Sequence, residues 1–394
     1  MLINKDRLVE VAKKNDLDVL VAATKENVLY CTEYWSLSQW TSSDVQVYAV
    51  IPVELSLKAT LVTPMSDIDL VTEEMSQIDR VVPYGNFHFE TESTPREGMR
   101  RLREIISTRQ PTGSPIEALA SAIKEGGFEE ARIGLDEGVL HSDLLLELGK
   151  LLPRANLIRA NSIFVRTRMI KTEEEIRRLR KATAITEKAM MTALESASEG
   201  TTEKDMAIEF EKALTGEGAR PDFTVLVFGE RTALPNGQPS GRKLRKGDAI
   251  RFDIGCVYEY YHSDISRMAV LGSANDKLRK YYQAVLQGHK RGLEMIKPGV
   301  QVSLIFHEIV RTVRQNGIPQ FKRHHCGHGI GIEGYDLPLV SPSSNDILEK
   351  GMVLCIEPPY YELGWGGIQV EDTVVVTENR PEFLTSTKNE LMII

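Results

Sequence analysis

Two stretches of this chain set carboxylates into strand-like surroundings. "RFDIGCVYEYYHSDISR" (residues 251–267) places Asp253 and Asp264 among aromatic and branched residues, and "LCIEPPYYELGWGGIQVEDTVVV" (354–376) does the same with Glu357 and Glu371. If the first stretch turns at Tyr258-Glu259, Asp253 faces Asp264 with β-carbons roughly 4.5–5.5 Å apart. A turn centred on Gly364 likewise puts Glu357 opposite Glu371. Like charges placed face to face repel, and a buried carboxylate without a partner costs several kcal/mol. A bound cation removes both objections.

Between the two hairpins lies "RHHCGHGIGIEGYD" (323–336), where glycines flank His328 and let the backbone come close to whatever that imidazole meets. Four carboxylates and one imidazole suit Mn²⁺, Co²⁺, Fe²⁺ or Zn²⁺, and four negative charges suggest two ions rather than one. Taken singly, each acid reads as a solvated or salt-bridged surface group, and His324 and His325 read as surface residues. The weight rests on two independent hairpins that each pair their acids. Cys326 and Cys355 flank the ligand positions and read as buried small apolar groups. Glu333 and Asp336 read equally as groups that orient a ligand or as loop acids in water.

The elements that must position these groups fall into two parts. Over the first 165 residues "KDRLVEVAKKND" and "REGMRRLREIISTR" have helical periodicity, while "LDVLVAA", "VYAVIPV" and "RIGLDE" read as strands, an α/β pattern. "RMIKTEEEIRRLRKATAITEKAMMTALESA" then reads as one long helix, opened by a capping box of Thr172 and Glu175. The domain boundary belongs just before it, giving domains 1–164 and 165–394. Beyond the helix, residues 220–275 and 350–378 are strand-rich, and "DKLRKYYQAVLQGHKRGLEMI" and "VSLIFHEIVRTVRQNG" are amphipathic helices, so the second domain is α+β.

A length of 394 residues favours two domains over one. The net charge of −8 argues against a general nucleic-acid or anionic-membrane binder, because both need a concentrated basic surface. The four cysteines form no CxxC pair, the N-terminal residues hold no apolar run like a signal peptide, and no stretch approaches a membrane span. Reduced thiols and a cytoplasmic protein are expected.

From about residue 165 onward the chain resembles the M24 "pita-bread" metallopeptidases, the family of methionine aminopeptidases, aminopeptidase P, prolidase and creatinase. The resemblance rests on Asp253 of "FDIG", Asp264 of "SDISR", His328 of "GHGIG", Glu357 of "EPPYY" and Glu371 of "VEDTVVV", in the family's order. The first half resembles the creatinase-type N-terminal domain only in α/β pattern, position and size, apart from the linker helix. The fold implied is α+β: a C-terminal pita-bread catalytic domain preceded by a smaller α/β creatinase-type domain. The resemblance implies that Asp264 and Glu371 bridge two divalent metals, Asp253 holds one, and His328 with Glu357 the other. It implies a bridging hydroxide that attacks an amide carbon, Glu357 as proton acceptor, Mn²⁺ or Co²⁺ ahead of Zn²⁺ or Fe²⁺, and a homodimer.

The chain departs from prolidases and aminopeptidase P around the metals. Asn236 of "LPNG" stands where they carry a histidine, and Tyr335 stands where a second histidine follows the ligand. His324 matches the third family histidine, while Gln369 and Leu339 occupy places where prolidases show cationic residues. With Glu357, the candidate catalytic residues are therefore His324, Tyr335 and Asn236. Three readings follow. The first is an Xaa-Pro dipeptidase or aminopeptidase with an altered pocket, acting on small peptides. The second is an amidohydrolase acting on a small non-peptide C–N bond, as in creatinase or ectoine hydrolase. The third is a catalytically dead binding module, whose known examples lose metal ligands that this chain retains.

Overall fold

The computed structural model describes residues 2–54, 56–72, 75–90, 99–108, 111, 113–138 and 142–394. The chain divides into two compact units, Met1–Arg168 and Met169–Ile394. No helix among the described residues is long and apolar enough to cross a membrane.

The first unit holds helices α1 (Lys5–Lys14), α2 (Lys25–Thr32), α3 (Leu37–Thr41), α4 (Arg100–Thr108), α5 (Pro115–Glu125), α6 (Ser142–Leu151) and α7 (Asn161–Arg168). Its strands are β1 (Val19–Ala22), β2 (Tyr48–Pro52), β3 (Ala59–Pro64), β4 (Ile78–Tyr84), β5 (Arg132–Leu135) and β6 (Asn156–Arg159), in the sheet order β4-β3-β2-β1-β5-β6. The expected helix over 96–109 is present as α4, and residues 96–98 and 109 lie outside the described residues. Strands β1 and β2 are buried along their whole length, which is why they read as continuous apolar runs rather than alternating ones. Ile116, Leu119 and Ile123 of α5 pack on Val21, Val50, Val62 and Ile133 of the sheet.

The second unit opens with α8 (Glu173–Glu195), whose capping box of Thr172 and Glu175 is formed, followed by α9 (Glu203–Gly216). A sheet of order β17-β10-β8-β7 contains β7 (Arg220–Phe228), β8 (Ala249–Tyr258), β10 (Ile265–Val270) and β17 (Met392–Ile393), with the short β9 (Tyr261–His262) paired to β8. Helices α10 (Asp276–Glu294) and α11 (Val302–Gln315) lead to a second sheet of order β11-β12-β15-β16. It is built from β11 (Gly327–Gly329), β12 (Val353–Ile356), β15 (Asp372–Val375) and β16 (Glu382–Phe383), with the ribbon β13 (Tyr360–Glu362) and β14 (Gly366–Ile368) between β12 and β15 in sequence.

Strand periodicity aims the acids. Phe252, Ile254 and Cys256 of β8 enter the core that includes Ile185 and Ala189 of α8 and Phe210 of α9, so Arg251 and Asp253 take the opposite face. Leu354 and Ile356 of β12 enter the core shared with α10 and α11, which leaves Cys355 and Glu357 on the other side.

One register differs from expectation. Ser266, not Asp264, is the partner of Asp253, because the turn runs through Glu259 and Tyr260, which adopt positive φ of 46° and 70°. Two successive left-handed residues are the mark of a tight hairpin turn that Asn-Gly usually signals, and that signal is missing here. The shift is by two residues, so both acids stay on one face and meet diagonally instead of directly. The second register is as expected. Tyr360 pairs Ile368 and Ile356 pairs Asp372, which sets Glu357 opposite Glu371 between the two ladders.

Candidate metal centre

Asp253 comes from the middle of β8, Asp264 from the residue before β10, His328 from β11, Glu357 from the residue after β12, and Glu371 from the residue before β15. Carboxylate oxygens of Asp253, Asp264 and Glu371 lie within 4.8 Å of one another. His328 Nε2 is 3.5 Å from Asp264 Oδ2 and 3.8 Å from Glu357 Oε1. Asp264, His328, Glu357 and Glu371 are all buried, and Asp253 is nearly so.

Part of the donor set is unmet by protein. No hydrogen bond reaches Asp264 Oδ1, His328 Nε2 or either carboxylate oxygen of Glu371. His328 Nδ1 lies 2.9 Å from the carbonyl of Gly329, which can only accept, so Nδ1 carries the proton and Nε2 presents its lone pair to the acids. Oxygen donors with one imidazole nitrogen, orphaned and converging, fit divalent cations of the kind named above. Without cations the acids are strained electrostatically. Burial pushes Asp253, Glu357 and Glu371 above the usual carboxylate range and neighbouring acids add to it, while Arg251 opposes the rise at Asp253 and His328 opposes it at Glu357. Burial alone would lower His328, but Asp264 and Glu357 outweigh it and the net direction is upward.

The glycines beside His328 serve a purpose other than the expected one. A β-carbon on Gly327 would stand 2.2 Å from the carbonyl oxygen of Cys355, and one on Gly329 2.2 Å from that of Leu337. They admit the chain's own backbone, not a ligand.

A cavity of about 520 Å³ opens beside the cluster, lined by Asp253, Asp264 and Glu357 together with Asn236, Arg323, His324, His325, Tyr335, Tyr361 and Gln369. Asn236 and His324 are exposed on its wall. Tyr335 stacks on the His328 ring at 3.7 Å between centroids and points its hydroxyl at Glu357 Oε1, 3.4 Å away. A second cavity, about 460 Å³, lies in the first unit around Trp40 and Lys25 and holds none of the acid cluster.

Three residues near the cluster escaped the sequence reading. His325, expected at the surface, is buried with Nδ1 3.7 Å from Glu357 Oε1, and burial with its neighbours His324 and Arg323 lowers its pKa to about 4. Arg251 is fully buried; its guanidinium lies 3.4 Å from Asp253 Oδ2 and donates to Gln369 Oε1 at 2.7 Å. A guanidinium from β8 thus lies behind Gln369, paired within the protein. An arginine two residues before Asp253 in an apolar strand was the available signal, since i and i+2 share a face. Arg323 lines the cavity with its Nε buried and without a hydrogen-bond partner. Asp336 is no loop acid in water: it pairs with Lys171 Nζ at 3.2 Å, both side chains 1% exposed. Cys326 and Cys355 are buried free thiols, and Cys355 Sγ lies within 4.8 Å of donor atoms of His328 and Glu371.

Residues 177–378 match Metallopeptidase family M24, and residues 5–170 match the Creatinase/Prolidase N-terminal domain. The chain belongs to metallopeptidase family M24. Over 388 residues, 98% of this chain and 97% of the other, the M24 protein is 29% identical to an Xaa-Pro dipeptidase of Pyrococcus horikoshii. It is 39% identical over 227 residues to an Xaa-Pro dipeptidase of Pyrococcus furiosus, an alignment spanning 57% of this chain and 65% of that one. The crystal structure of the prolidase from Pyrococcus horikoshii OT3 is similar with a TM-score of 0.79 at 28% identity, over 98% of this chain and 99% of that one. The fold is accordingly a creatinase-type α/β domain followed by a pita-bread catalytic domain, and membership of this Xaa-Pro dipeptidase-like group of hydrolases implies divalent metal ions.

Proposed function

We propose that this M24 protein hydrolyses the amide bond of Xaa-Pro dipeptides, with Asp253, Asp264, His328, Glu357 and Glu371 holding two divalent ions, Mn²⁺ or Co²⁺ before Zn²⁺ or Fe²⁺. The observation that carries the reading is the convergence of these five side chains, with Asp264 Oδ1, His328 Nε2 and both Glu371 oxygens unmet by any hydrogen bond, beside a cavity of dipeptide size. When bound, the ions would supply Lewis acidity and a nucleophile drawn from water at neutral pH.

The chain's own groups do the rest. Glu357 takes a proton from the attacking water. As the carbonyl carbon gains the water oxygen, the C–N electron pair stays with the proline nitrogen, and Glu357 delivers the proton to that nitrogen. Tyr335, whose phenol is pushed upward by burial and by Glu357, stays protonated and donates a hydrogen bond. Arg323 offers its unpartnered Nε to the free carboxylate of the dipeptide. The family resemblance supports a homodimer, which light scattering would test.

Asn236 and Tyr335 on the cavity wall favour one second reading, a non-peptide C–N substrate, because neither side chain can shuttle a proton near neutral pH as histidine does. The test is to load purified protein with Mn²⁺, count metals per chain, and assay Xaa-Pro dipeptides beside cyclic and amidino compounds. Two metals with dipeptide cleavage uphold the peptidase. Two metals with turnover of only the small amides would favour the second reading, and a chain that takes up no metal would end both.

A further inference from the structure

The side-chain amide of Gln369 has only one orientation open to it. Its Oε1 lies 2.7 Å from Arg251 Nη1 and 3.0 Å from the Tyr361 hydroxyl. The guanidinium can only donate, so that atom is the amide oxygen and accepts from both groups. The NH₂ group must then face Glu357, where Nε2 donates to Oε2 at 3.2 Å. Little can disturb this arrangement. Gln369 is 1% exposed and Arg251 0%. Arg251 Nη2 is tied to the carbonyls of Leu234 at 2.6 Å and Pro235 at 3.1 Å, and its Nη1 also donates to the Tyr361 hydroxyl at 3.0 Å.

The two oxygens of Glu357 are therefore unlike. Oε2 accepts the fixed N–H of Gln369, and Oε1 accepts from the Tyr335 hydroxyl at 3.4 Å and faces His325 Nδ1 and His328 Nε2 at 3.7 and 3.8 Å. The amide hydrogen occupies one lone pair of Oε2, and Gln369 could turn only by setting its NH₂ against the guanidinium. We propose that Gln369, locked by Arg251 and Tyr361, is a positioning residue that fixes the plane of the Glu357 carboxylate and turns Oε1 toward His328 Nε2 and the cavity. A neutral side chain at this place is thus a director of Glu357 and not merely a missing cation. The inference rests on the role given to Glu357 above.

The test compares Gln369→Met, which keeps length and loses both hydrogen-bonding ends, with Tyr361→Phe and the double variant. Each is measured for kcat and KM on an Xaa-Pro dipeptide with Mn²⁺ bound, and for Mn²⁺ affinity by calorimetry on chelated protein. Gln369→Met is expected to lower kcat about tenfold, the usual scale for a hydrogen bond to a charged group, with KM changed less than about twofold. The Mn²⁺ Kd is expected to rise about threefold or more, because Glu357 is freed to rotate. Tyr361→Phe is expected to cost less, since Arg251 still holds Oε1, and to cost nothing further in the Gln369→Met background. A Gln369→Met kcat within about twofold of the parent, or a Tyr361→Phe penalty that persists in full in the double variant, would overturn the proposal. If the parent cleaves no Xaa-Pro dipeptide, the proposed function fails separately and the calorimetry decides. An unchanged Kd in Gln369→Met then refutes the positioning role, and a raised Kd upholds it.

Discussion

Chelating the metals is predicted to make the protein less stable as pH rises above neutrality, the reverse of ordinary acid denaturation. In an unfolded chain Asp and Glu titrate near 4, whereas burial raises Asp253, Glu357 and Glu371 in the folded, metal-free chain. The folded state then binds more protons than the unfolded state, so stability is fully present below the unfolded values and is lost as pH climbs through the folded ones. His328, raised by Asp264 and Glu357, acts with the same sign. His289 and His325, both lowered to about 4 with burial as the first cause, act with the opposite sign, but only below about pH 6.5, where unfolded imidazole still takes a proton. The window to examine is therefore about pH 6.5 to 8, short of ordinary thiol ionisation. Each proton retained by the folded state contributes about 1.4 kcal/mol per pH unit, so two retained over this window amount to about 4 kcal/mol. Water entering the cluster would reduce that to about 2 kcal/mol. For a unit of this size the change is about 5 °C in Tm. Calorimetric scans of chelated protein across the window should show that fall. The same scans with Mn²⁺ should show a smaller fall, because acids held by cations carry no protons to lose while Glu175, raised to about 7 by burial away from the cluster, still does, and the stabilisation by metal should grow with pH. A chelated Tm that is flat or rises between pH 6.5 and 8 would refute the electrostatic account of the cluster.

Replacing Glu357 by Gln should lower kcat by about 10²–10⁴, with metal counted in the same sample so that lost ligation and lost proton transfer can be told apart. Arg323→Met should raise KM for a free Xaa-Pro dipeptide about tenfold and leave the C-terminally amidated dipeptide within about twofold, if the guanidinium meets a carboxylate. Equal effects on the two substrates would remove that role. Gly329→Ala should cost about 3 kcal/mol or more, read as a lower denaturation midpoint, because the added carbon stands 2.2 Å from the Leu337 carbonyl and must move the segment carrying Tyr335.

The sequence made the helices and the acid hairpins legible because both rest on periodicity. The capping box of α8 and the register that sets Glu357 opposite Glu371 needed only local spacing and one glycine turn. The register of the first hairpin was misjudged because Glu259 and Tyr260 adopt left-handed backbone that neither residue type advertises. It cost little, since a two-residue slip preserves the face. His325, Arg251 and Arg323 were harder for a different reason. Whether a polar side chain points at a cluster or at water depends on what packs over it, and for these residues the covering atoms come from distant segments. Arg251 and Gln369, 118 positions apart in sequence, share one hydrogen bond. No local pattern encodes that.

The five side chains of the cluster are drawn from Asp253 through Glu371, across two sheets and the helices α10 and α11 that intervene. Contacts between segments so far apart are closed late, after shorter loops have formed. Cations held by all five groups would then find their site only once the catalytic domain is nearly complete. Their binding energy should appear mainly in the escape rate from the folded state, with little effect on the rate of reaching it. The metals would act as a kinetic latch, lengthening the lifetime of a finished domain instead of guiding its assembly.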